Sequence, residues 1–387
     1  MHRSSIIVHQ PSFMINFALL GHPAHYDHVA DLLARLRPGM GAEKAYAHKK
    51  SLGKAFEWSS TFAANEELIV PMADGSQLRG KLIICTFLPE HAHSPKQMAA
   101  AYQKTRDGVR IAKQMGARIV GLGGFTSIIG GTLGDRLPYE FGIATTSGNT
   151  LTAALALGQI KSLLSKLHWT LAGQTVAVLG ASGDIGRACT QALATQLQVK
   201  RLILIARNRA KLEAMKFDLQ ATDRGETEIL VSTRVAEARR AELIITATSA
   251  AGPLLSEADL MPGTIVCDIG YPHTLAYAPE PRPEVLLFHG GLAEAPFELP
   301  ITHYSLLPRP DILYGCFTET IALAMAGRYE SYSLGQGRIT LERMQAILDL
   351  AQSFGFRPAP LYRGNRLITD DDIAAFGRYA AALREDR

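Results

Sequence analysis

Two stretches of this chain carry residue types that could do chemistry. In the first, Gly-Cys-Phe-Thr-Glu over 315–319, Cys316 lies near the start of a long apolar run. A cysteine at a helix N-terminus can act as a nucleophile, because the helix end lowers the pKa of a thiol and the thiolate is the reactive form. A free cysteine on an apolar helix is, however, most often a buried core residue. The segment alone therefore leaves both roles open for Cys316.

The second stretch is a glycine-rich loop between a strand and a helix. The apolar strand Thr175–Leu179 leads into Gly-Ala-Ser-Gly-Asp-Ile-Gly, and a helix is expected to begin at about Asp184. The spacing is G-x-x-G-x-x-G rather than the usual G-x-G-x-x-G. In this context backbone N–H groups can approach a pyrophosphate, and the helix N-terminus supplies partial positive charge. We therefore predict a dinucleotide site at Gly180, Ser182, Gly183, Asp184, Ile185 and Gly186.

The end of the next strand, Arg201–Ala206, distinguishes the two nicotinamide cofactors. An NAD site usually places an acidic residue on the ribose hydroxyls there, but residues 187–212 contain no Asp or Glu. The strand is followed instead by Arg207, Asn208 and Arg209. Arginines at this position suit a 2′-phosphate by charge and by bidentate geometry. The sequence therefore predicts NADPH.

A doubly wound parallel sheet must position these residues. From residue 173 onward, short β-rich runs alternate with helical links, which is typical of such a sheet. The loop after its fourth strand, 246–251 with Thr248, and the loop after its fifth, 267–272, are expected to border the nicotinamide. His289 and Tyr271 are further residues that strand ends could bring to Cys316.

The flanking regions have a different pattern. Before the sheet the chain is predicted to be mixed α/β, with strands over Ile15–His22 and Lys81–Pro89 and with helices over 94–116 and 149–167. After it the chain is predicted to be helical, notably around 341–351. We therefore expect an α/β fold of three parts: an N-terminal mixed α/β substrate domain over 14–165, a Rossmann-like NADPH-binding domain over 166–300, and C-terminal helices over 301–387 that carry Cys316.

Composition excludes several classes. The 387 residues carry a net charge of +4 with both signs mixed, which is too mild for a nucleic-acid-binding protein. No apolar run is long enough to span a bilayer. The four cysteines lie far apart and form no C-x-x-C pair, which predicts reduced thiols, a cytoplasmic protein and no structural zinc. The three histidines of His-Pro-Ala-His-Tyr-Asp-His (22–28) share no clear face, so no metal site is predicted there either.

Eight stretches resemble one family. They match the aldehyde-forming long-chain acyl-[acyl-carrier-protein] reductases, best known from cyanobacteria, from about Met14 to Leu361. The matching stretches read LLGH, CTFLPE, GLGGFTSI, TTSGNTLTA, VAVLGASGDIG, LILIARNRAKLE, DIGYP and GCFTETIAL. The resemblance implies NADPH-dependent reduction of a fatty acyl thioester to a fatty aldehyde, with Cys316 as the acyl-accepting residue. The match is poor between Gly39 and Leu78, and Ser147 stands where threonine is expected.

The implied chemistry suits a thiol. An acyl-cysteine remains electrophilic and accepts hydride, whereas the ester formed by a serine would resist it. We expect a low pKa for Cys316 from its place near a helix start. Hydroxyls and backbone groups that could stabilise an oxyanion are those of Thr126, Ser127, Ser147, Asn149 and Thr150, although capping of helices is an equal alternative for them.

Three questions stay open on the sequence. The carrier of the acyl group is either an acyl carrier protein or coenzyme A. A dehydrogenase of a small polar substrate, similar to shikimate dehydrogenase, shares the glycine loop and the arginines; a Lys–Asp pair in the first domain would favour it. A non-catalytic NADPH-binding protein is the other alternative, and an inaccessible Cys316 would favour that.

Overall fold

A computed structural model of the protein describes residues 14–36, 41–91, 94–129, 135–197, 199–222, 227–302, 304–335 and 338–385. The helices are α1 (Tyr26–Leu36), α2 (Ala42–Ala47), α3 (Lys49–Trp58), α4 (Pro95–Gln114), α5 (Thr126–Ile129), α6 (Leu137–Phe141), α7 (Asn149–Lys166), α8 (Asp184–Gln196), α9 (Arg209–Thr222), α10 (Gly315–Met325), α11 (Leu341–Ser353) and α12 (Asp370–Glu385). The strands are β1 (Phe17–Gly21), β2 (Phe62–Pro71), β3 (Gln77–Ile84), β4 (Ile119–Leu122), β5 (Ala144–Thr146), β6 (Thr175–Leu179), β7 (Arg201–Ile205), β8 (Glu228–Ser232), β9 (Leu243–Thr246), β10 (Leu255–Ser256), β11 (Ile265–Asp268), β12 (Leu275–Ala276), β13 (Leu286–His289), β14 (Leu292–Glu294), β15 (Ile312–Tyr314), β16 (Arg357–Pro358), β17 (Tyr362–Arg363) and β18 (Arg366–Leu367).

The first sheet has the order β2-β3-β1-β4-β5. Its strands β3, β1, β4 and β5 run parallel, and β2 pairs antiparallel with β3 at one edge. Helix α4 begins as the sequence predicts, at a capping box in which Ser94 Oγ accepts from Gln97 N at 3.3 Å and Gln97 Oε1 accepts from Ser94 N at 3.1 Å. The residues at the carboxyl ends of β1 and β4 line the large cavity that also borders the second sheet.

The second sheet is entirely parallel in the described part of the chain, with the order β8-β7-β6-β9-β11-β13. Counted along the chain this is 3-2-1-4-5-6, the order of a doubly wound dinucleotide-binding sheet. The order reverses between β6 and β9, and a ligand crevice forms outside the carboxyl ends of the strands at such a point. The predicted fold class is confirmed.

Helices α7 and α10 connect the two sheets. Helix α7 packs against α8 of the second sheet and against α10 and α11, while α10 also packs on β4 and β1 of the first sheet. The largest apolar cluster includes residues of both sheets, from Phe17 to Ala380, and each sheet has a smaller cluster of its own. The predicted periodicity in α11 is confirmed, because Met344, Ile347 and Ala351 are its buried residues. No helix in the described ranges is long and apolar enough to cross a membrane.

Candidate active site

The glycine loop lies at the reversal point of the second sheet. Gly180 has φ +86°, and a Cβ added to it would stand 2.3 Å from the carbonyl oxygen of Ala247 in the loop after β9. A Cβ on Gly186 would lie 2.2 Å from the carbonyl oxygen of Gly180. Gly183 is different, because its φ is −80° and its nearest heavy atom would be 3.3 Å away. The first and third glycines are therefore required by packing, whereas a Cβ on Gly183 would make one tight contact, with the Gly180 carbonyl oxygen, at a position that lines the cavity described next.

A cavity of about 710 Å³ runs from this loop to Cys316. Most of the predicted cofactor residues line it: Gly180, Ser182, Gly183, Asp184, Ile185, Arg207, Asn208 and Thr248. Gly186 packs beneath the loop instead. The predicted oxyanion residues Ser127, Ser147 and Asn149 also line the cavity, together with His22, Tyr271 and His289. The structure thus brings the two chemically interesting stretches of the sequence to one space.

The structure places Arg209 outside the cavity and Lys211 at its wall. Arg209 does not line the cavity; its guanidinium pairs with Glu213 one turn further along α9, at 3.2 Å. Lys211, which the sequence analysis did not single out, lines the cavity beside Arg207 and Asn208. Among the described residues at the end of β7, the cations that line the cavity are Arg207 and Lys211.

Cys316 is the second residue of α10, in the part of the cavity away from the glycine loop. The chain reaches it through Gly315, whose N–H donates to the carbonyl oxygen of Gly291 at 2.9 Å. Cys85, Cys189 and Cys267 are fully buried, whereas Cys316 is partly exposed to the cavity. It is thus the cysteine that a ligand in the cavity can reach.

The expected low pKa of Cys316 is not found. Burial raises the pKa of its thiol to about 12, although the backbone N–H groups of Gly124, Phe317 and Cys316 itself act in the opposite direction. Desolvation disfavours the thiolate more than these three amides at the helix end favour it. At rest, therefore, the thiol is protonated.

Three aromatic side chains, those of Tyr271, His289 and Tyr314, line the same cavity as Cys316. The ring of Tyr271 lies 5.4 Å from that of Tyr314, and the ring of His289 lies 6.0 Å from Tyr314. Burial lowers the pKa of His289 to about 3 and raises the pKa of Tyr271. Both side chains are therefore neutral at pH 7 and can act on a ligand only through hydrogen bonds and shape.

Thr126 and Thr150, also predicted as oxyanion residues, do not line the cavity. Thr126 Oγ1 donates to the carbonyl oxygen of Gly123 at 2.8 Å, and Thr150 Oγ1 is hydrogen-bonded to Ser333 Oγ at 2.6 Å. The Thr126 hydroxyl thus has a local turn role, whereas the Thr150 hydroxyl makes a contact with a residue distant in the sequence.

Glu319 is a site residue that the sequence analysis missed. It lies one turn after Cys316, is fully buried, and accepts hydrogen bonds from Thr146 Oγ1, from Leu151 N at 3.1 Å and from Ser333 Oγ at 2.8 Å. Burial raises the pKa of its carboxyl group. It ties α10 to the β5–α7 junction and to the segment around Ser333. The signal in the sequence was a glutamate inside an apolar helix, which needs buried partners.

The histidines near the N-terminus have structural hydrogen bonds. His22 Nε2 accepts from Phe125 N at 2.8 Å, and His28 Nδ1 accepts from Ala24 N at 3.1 Å. Within the described ranges no group of three or more His, Cys, Asp or Glu side chains could hold a metal ion.

A doubly wound sheet with a glycine loop at its reversal point, opening on a cavity with a reachable thiol, is an arrangement typical of nicotinamide-nucleotide-dependent oxidoreductases. The chain is 29% identical over 358 residues to the long-chain acyl-[acyl-carrier-protein] reductase of Synechococcus elongatus, covering 89% of this chain and 99% of that one. This likeness along nearly the whole of both chains confirms the resemblance that the sequence motifs indicate.

Other comparisons are weaker. The chain is 29% identical over 279 residues to the aminotransferase PigE of a Serratia species, which covers 70% of this chain but only 32% of that protein. The solved structure of glutamyl-tRNA reductase from Methanopyrus kandleri matches 75% of this chain and 55% of that chain at 13% identity and a TM-score of 0.29. No family model matches the chain.

Proposed function

We propose that the protein reduces a fatty acyl thioester to a fatty aldehyde with NADPH, through an acyl group carried on Cys316. The observation that carries this proposal is that the glycine loop and the Cys316 thiol open on one continuous cavity. A hydride donor bound at the loop and an acyl group on the thiol would then meet without leaving the protein. The similarity to an acyl-[acyl-carrier-protein] reductase supports the thioester as substrate.

The reaction has two stages, transfer of the acyl group to Cys316 and its reduction. Cys316 Sγ attacks the carbonyl carbon of the incoming thioester, the bond from that carbon to the carrier sulfur breaks, and the proton of Cys316 passes to the departing carrier thiol. Thiol and thioester exchange in this way with little change in energy, and the new thioester is still electrophilic. When bound, NADPH supplies a hydride to the same carbon. The hemithioacetal on Cys316 then releases the aldehyde, and Sγ regains a proton.

The backbone donors near the sulfur suit these steps. Negative charge develops on the carbonyl oxygen in both the acylation and the reduction, and fixed N–H groups stabilise it without reorganisation. The backbone groups of Gly124, Phe317 and Cys316 favour the thiolate, and the same groups are the candidates to stabilise an oxyanion beside the sulfur. Ser147 and Asn149 line the same part of the cavity.

The residues present fit a 2′-phosphorylated dinucleotide. Gly183 leaves space for a pyrophosphate at the N-terminus of α8, and Arg207 and Lys211 bring two positive charges to the end of β7. In the described residues from Arg201 to Ser232, the cavity lining contains no carboxylate that would favour the free ribose hydroxyls of NADH. We therefore infer that NADPH is the cofactor.

The cavity favours an apolar substrate over a small polar one. Its lining in the first sheet, α5 and α10 includes the apolar residues Leu82, Leu122, Ile128 and Phe317. A shikimate-dehydrogenase-like activity would favour a Lys–Asp pair contributed by the first domain. Among the described lining residues the first domain contributes Asp135 but no lysine. A purely NADPH-binding role is also disfavoured, because Cys316 is accessible from the cavity.

The proposal is tested by incubating the protein with palmitoyl thioesters of acyl carrier protein and of coenzyme A, each with and without NADPH. Intact mass should show one added acyl group without NADPH, and chromatography should show fatty aldehyde when NADPH is present. The better of the two thioesters identifies the carrier. A protein that forms neither adduct nor aldehyde with either thioester would contradict the proposed function.

A further inference from the structure

His22 is a buried histidine whose hydrogen-bond partners include residues distant in the sequence. It follows the last residue of β1, is 4% exposed, and its ring stacks on that of Phe87 with centroids 4.8 Å apart. Its Nε2 accepts a hydrogen bond from the backbone N–H of Phe125 at 2.8 Å, and its Nδ1 lies 2.9 Å from the carbonyl oxygen of Pro23. These two partners fix one neutral tautomer, with the proton on Nδ1 and the lone pair on Nε2.

The residue that His22 holds belongs to a loop facing the thiol. Phe125 follows Gly124, whose backbone is one of the three, with those of Phe317 and Cys316, that lower the pKa of the Cys316 thiol. A Cβ on Gly123 would stand 2.7 Å from the ring of Phe317, the residue after Cys316. Gly124 itself has φ +55°, and a Cβ there would stand 2.8 Å from His22 Nε2. The loop 123–125 is therefore clamped between the His22 ring and the first turn of α10.

The backbone of His22 is held as well. Its carbonyl oxygen accepts from the hydroxyl of Tyr271 at 3.2 Å, and the two rings lie edge to face at 5.5 Å. Tyr271 belongs to the loop after β11 of the second sheet. His22 thus connects the end of β1, the 123–125 loop and the second sheet at the wall of one cavity.

We propose that His22 is a positioning residue for the acyl-transfer chemistry: by accepting the Phe125 N–H, its neutral imidazole fixes the 123–125 loop so that the Gly124 N–H faces the sulfur of Cys316 and the oxygen of a bound acyl group. His22 does not touch the reacting atoms in this role. The inference rests on the proposed function only in naming the acyl group, since the effect on the thiol itself can be measured without any thioester.

The alternative uses of this side chain are poorer. A metal would need the Nε2 lone pair, which Phe125 N–H occupies. A general base would also need a free lone pair and a higher pKa, but burial lowers the pKa of His22 to about 4. The titratable groups that face the thiol directly are Glu319 on its own helix, Tyr271 and Tyr314.

Two His22 variants and one matched control test the role. His22→Leu keeps an apolar side chain of similar size but removes the acceptor, whereas His22→Gln places an amide oxygen near the position of Nε2. The control is His28→Leu: His28 is also buried, at 3% exposed, and also accepts one backbone N–H, from Ala24, but does not line the cavity. The first readout is the rate constant for alkylation of Cys316 by iodoacetamide between pH 7 and 10, read by peptide mass.

His22→Leu should lower this rate constant by about tenfold to hundredfold and displace its pH profile to higher pH, because one donor to the thiolate is lost. His22→Gln should stay within about threefold of the unmodified protein, and so should His28→Leu. NADPH affinity should be unchanged in all three. Equal rates in His22→Leu and the unmodified protein would overturn the proposal, as would a His22→Gln variant as slow as His22→Leu.

A second readout separates this inference from the proposed function. Acyl-adduct formation from a palmitoyl thioester should fall in parallel with alkylation in His22→Leu, at unchanged KM. If His22→Leu does not fold, His22→Phe takes its place, because it keeps a ring to stack on Phe87 and also lacks an acceptor for the Phe125 N–H; a folded His22→Phe that alkylates as fast as the unmodified protein would overturn the proposal. If the unmodified protein alkylates at Cys316 but never acquires an acyl group, the proposed function fails while the alkylation series still tests the role of His22.

Discussion

A Cβ atom added to Gly148 would lie 2.1 Å from the Cα atom of Cys316 and 2.8 Å from its carbonyl oxygen. Gly148 also has φ +67°, a conformation that favours glycine. The N-terminal end of α7 therefore packs directly on the backbone of the proposed nucleophile. Because the contact is with backbone rather than with a flexible side chain, no small adjustment can make room for a larger residue.

Gly148→Ala should displace the first turn of α10 and abolish alkylation and acylation at Cys316. Gly173→Ala is the matched control, because Gly173 has a similar φ of +86° but no heavy atom within 4 Å of an added Cβ. The control should lose about 1–2 kcal/mol of unfolding free energy from backbone strain alone. Denaturant unfolding should show a clearly larger loss for Gly148→Ala, and equal losses for both variants would show that the Cys316 contact has no importance.

The reactivity of Cys316 should rise steeply with pH. Burial raises the pKa of the thiol to about 12, so the thiolate fraction increases by about tenfold for each pH unit from 7 to 10. The rate constant for alkylation by iodoacetamide should follow that slope, and addition of a saturating thioester should protect the residue. A plateau below pH 8 would mean that the thiol has the low pKa expected from a helix end alone.

Cofactor preference should depend on Arg207 and Lys211 but not on Arg209. Replacing Arg207 and Lys211 together by alanine should weaken NADPH by about one to two orders of magnitude and leave NADH nearly unchanged, because only NADPH carries the 2′-phosphate. Arg209→Ala is the control, since its guanidinium pairs with Glu213 outside the cavity. Fluorescence titration of both cofactors checks this, and an Arg209→Ala effect as large as that of the double variant would contradict it.

Substitutions at Gly183 and Gly186 should have different effects, one on NADPH binding and the other on stability. Gly183→Val should leave a folded protein that no longer binds NADPH, because the added side chain would occupy the space at the N-terminus of α8. Gly186→Ala should instead destabilise the fold, because its Cβ would lie 2.2 Å from the Gly180 carbonyl oxygen. Thermal unfolding and NADPH titration of both variants distinguish the effects. Normal NADPH affinity in folded Gly183→Val would show that the phosphate lies elsewhere.

Much of the fold could be predicted because local signals agree with it. The strand, glycine loop and helix over 175–196 and the cap at Ser94 follow from short-range patterns. Local patterns do not indicate whether Arg209 or Lys211 lines the cavity. Both follow β7, but α9 begins at Arg209, and two residues turn about 200° around a helix axis. One side chain therefore faces the cavity and the other faces away, which composition alone does not show.

The environment of Cys316 could not be predicted for a related reason. Its pKa depends on burial by Gly148 and the 123–125 loop, which are distant in the sequence. Glu319 was missed because its partners, Thr146, Leu151 and Ser333, lie 14 to 173 residues away. Sequence patterns indicate which residues are chemically capable, whereas tertiary packing determines their protonation and their partners.

The role of Cys316 is decided by one conservative variant. Cys316→Ser replaces the thiol by a hydroxyl of similar size at a partly exposed position, so it should fold and bind NADPH as before. It should make essentially no aldehyde, because a serine ester resists the hydride that an acyl-cysteine accepts. In the unmodified protein without NADPH, the peptide containing Cys316 should carry the acyl group, and added NADPH should remove it and release aldehyde.

Cys189→Ser is the matched control, because Cys189 is fully buried in the second sheet's core and no ligand in the cavity can reach it. It should lose some stability, since a hydroxyl replaces a thiol in an apolar site, but keep its turnover per folded molecule. Near-normal turnover by folded Cys316→Ser would exclude the acyl-cysteine, because a bound thioester would then have to accept hydride directly. Loss of NADPH binding in Cys316→Ser would instead point to a structural defect, and the two results are separated by measuring binding before turnover.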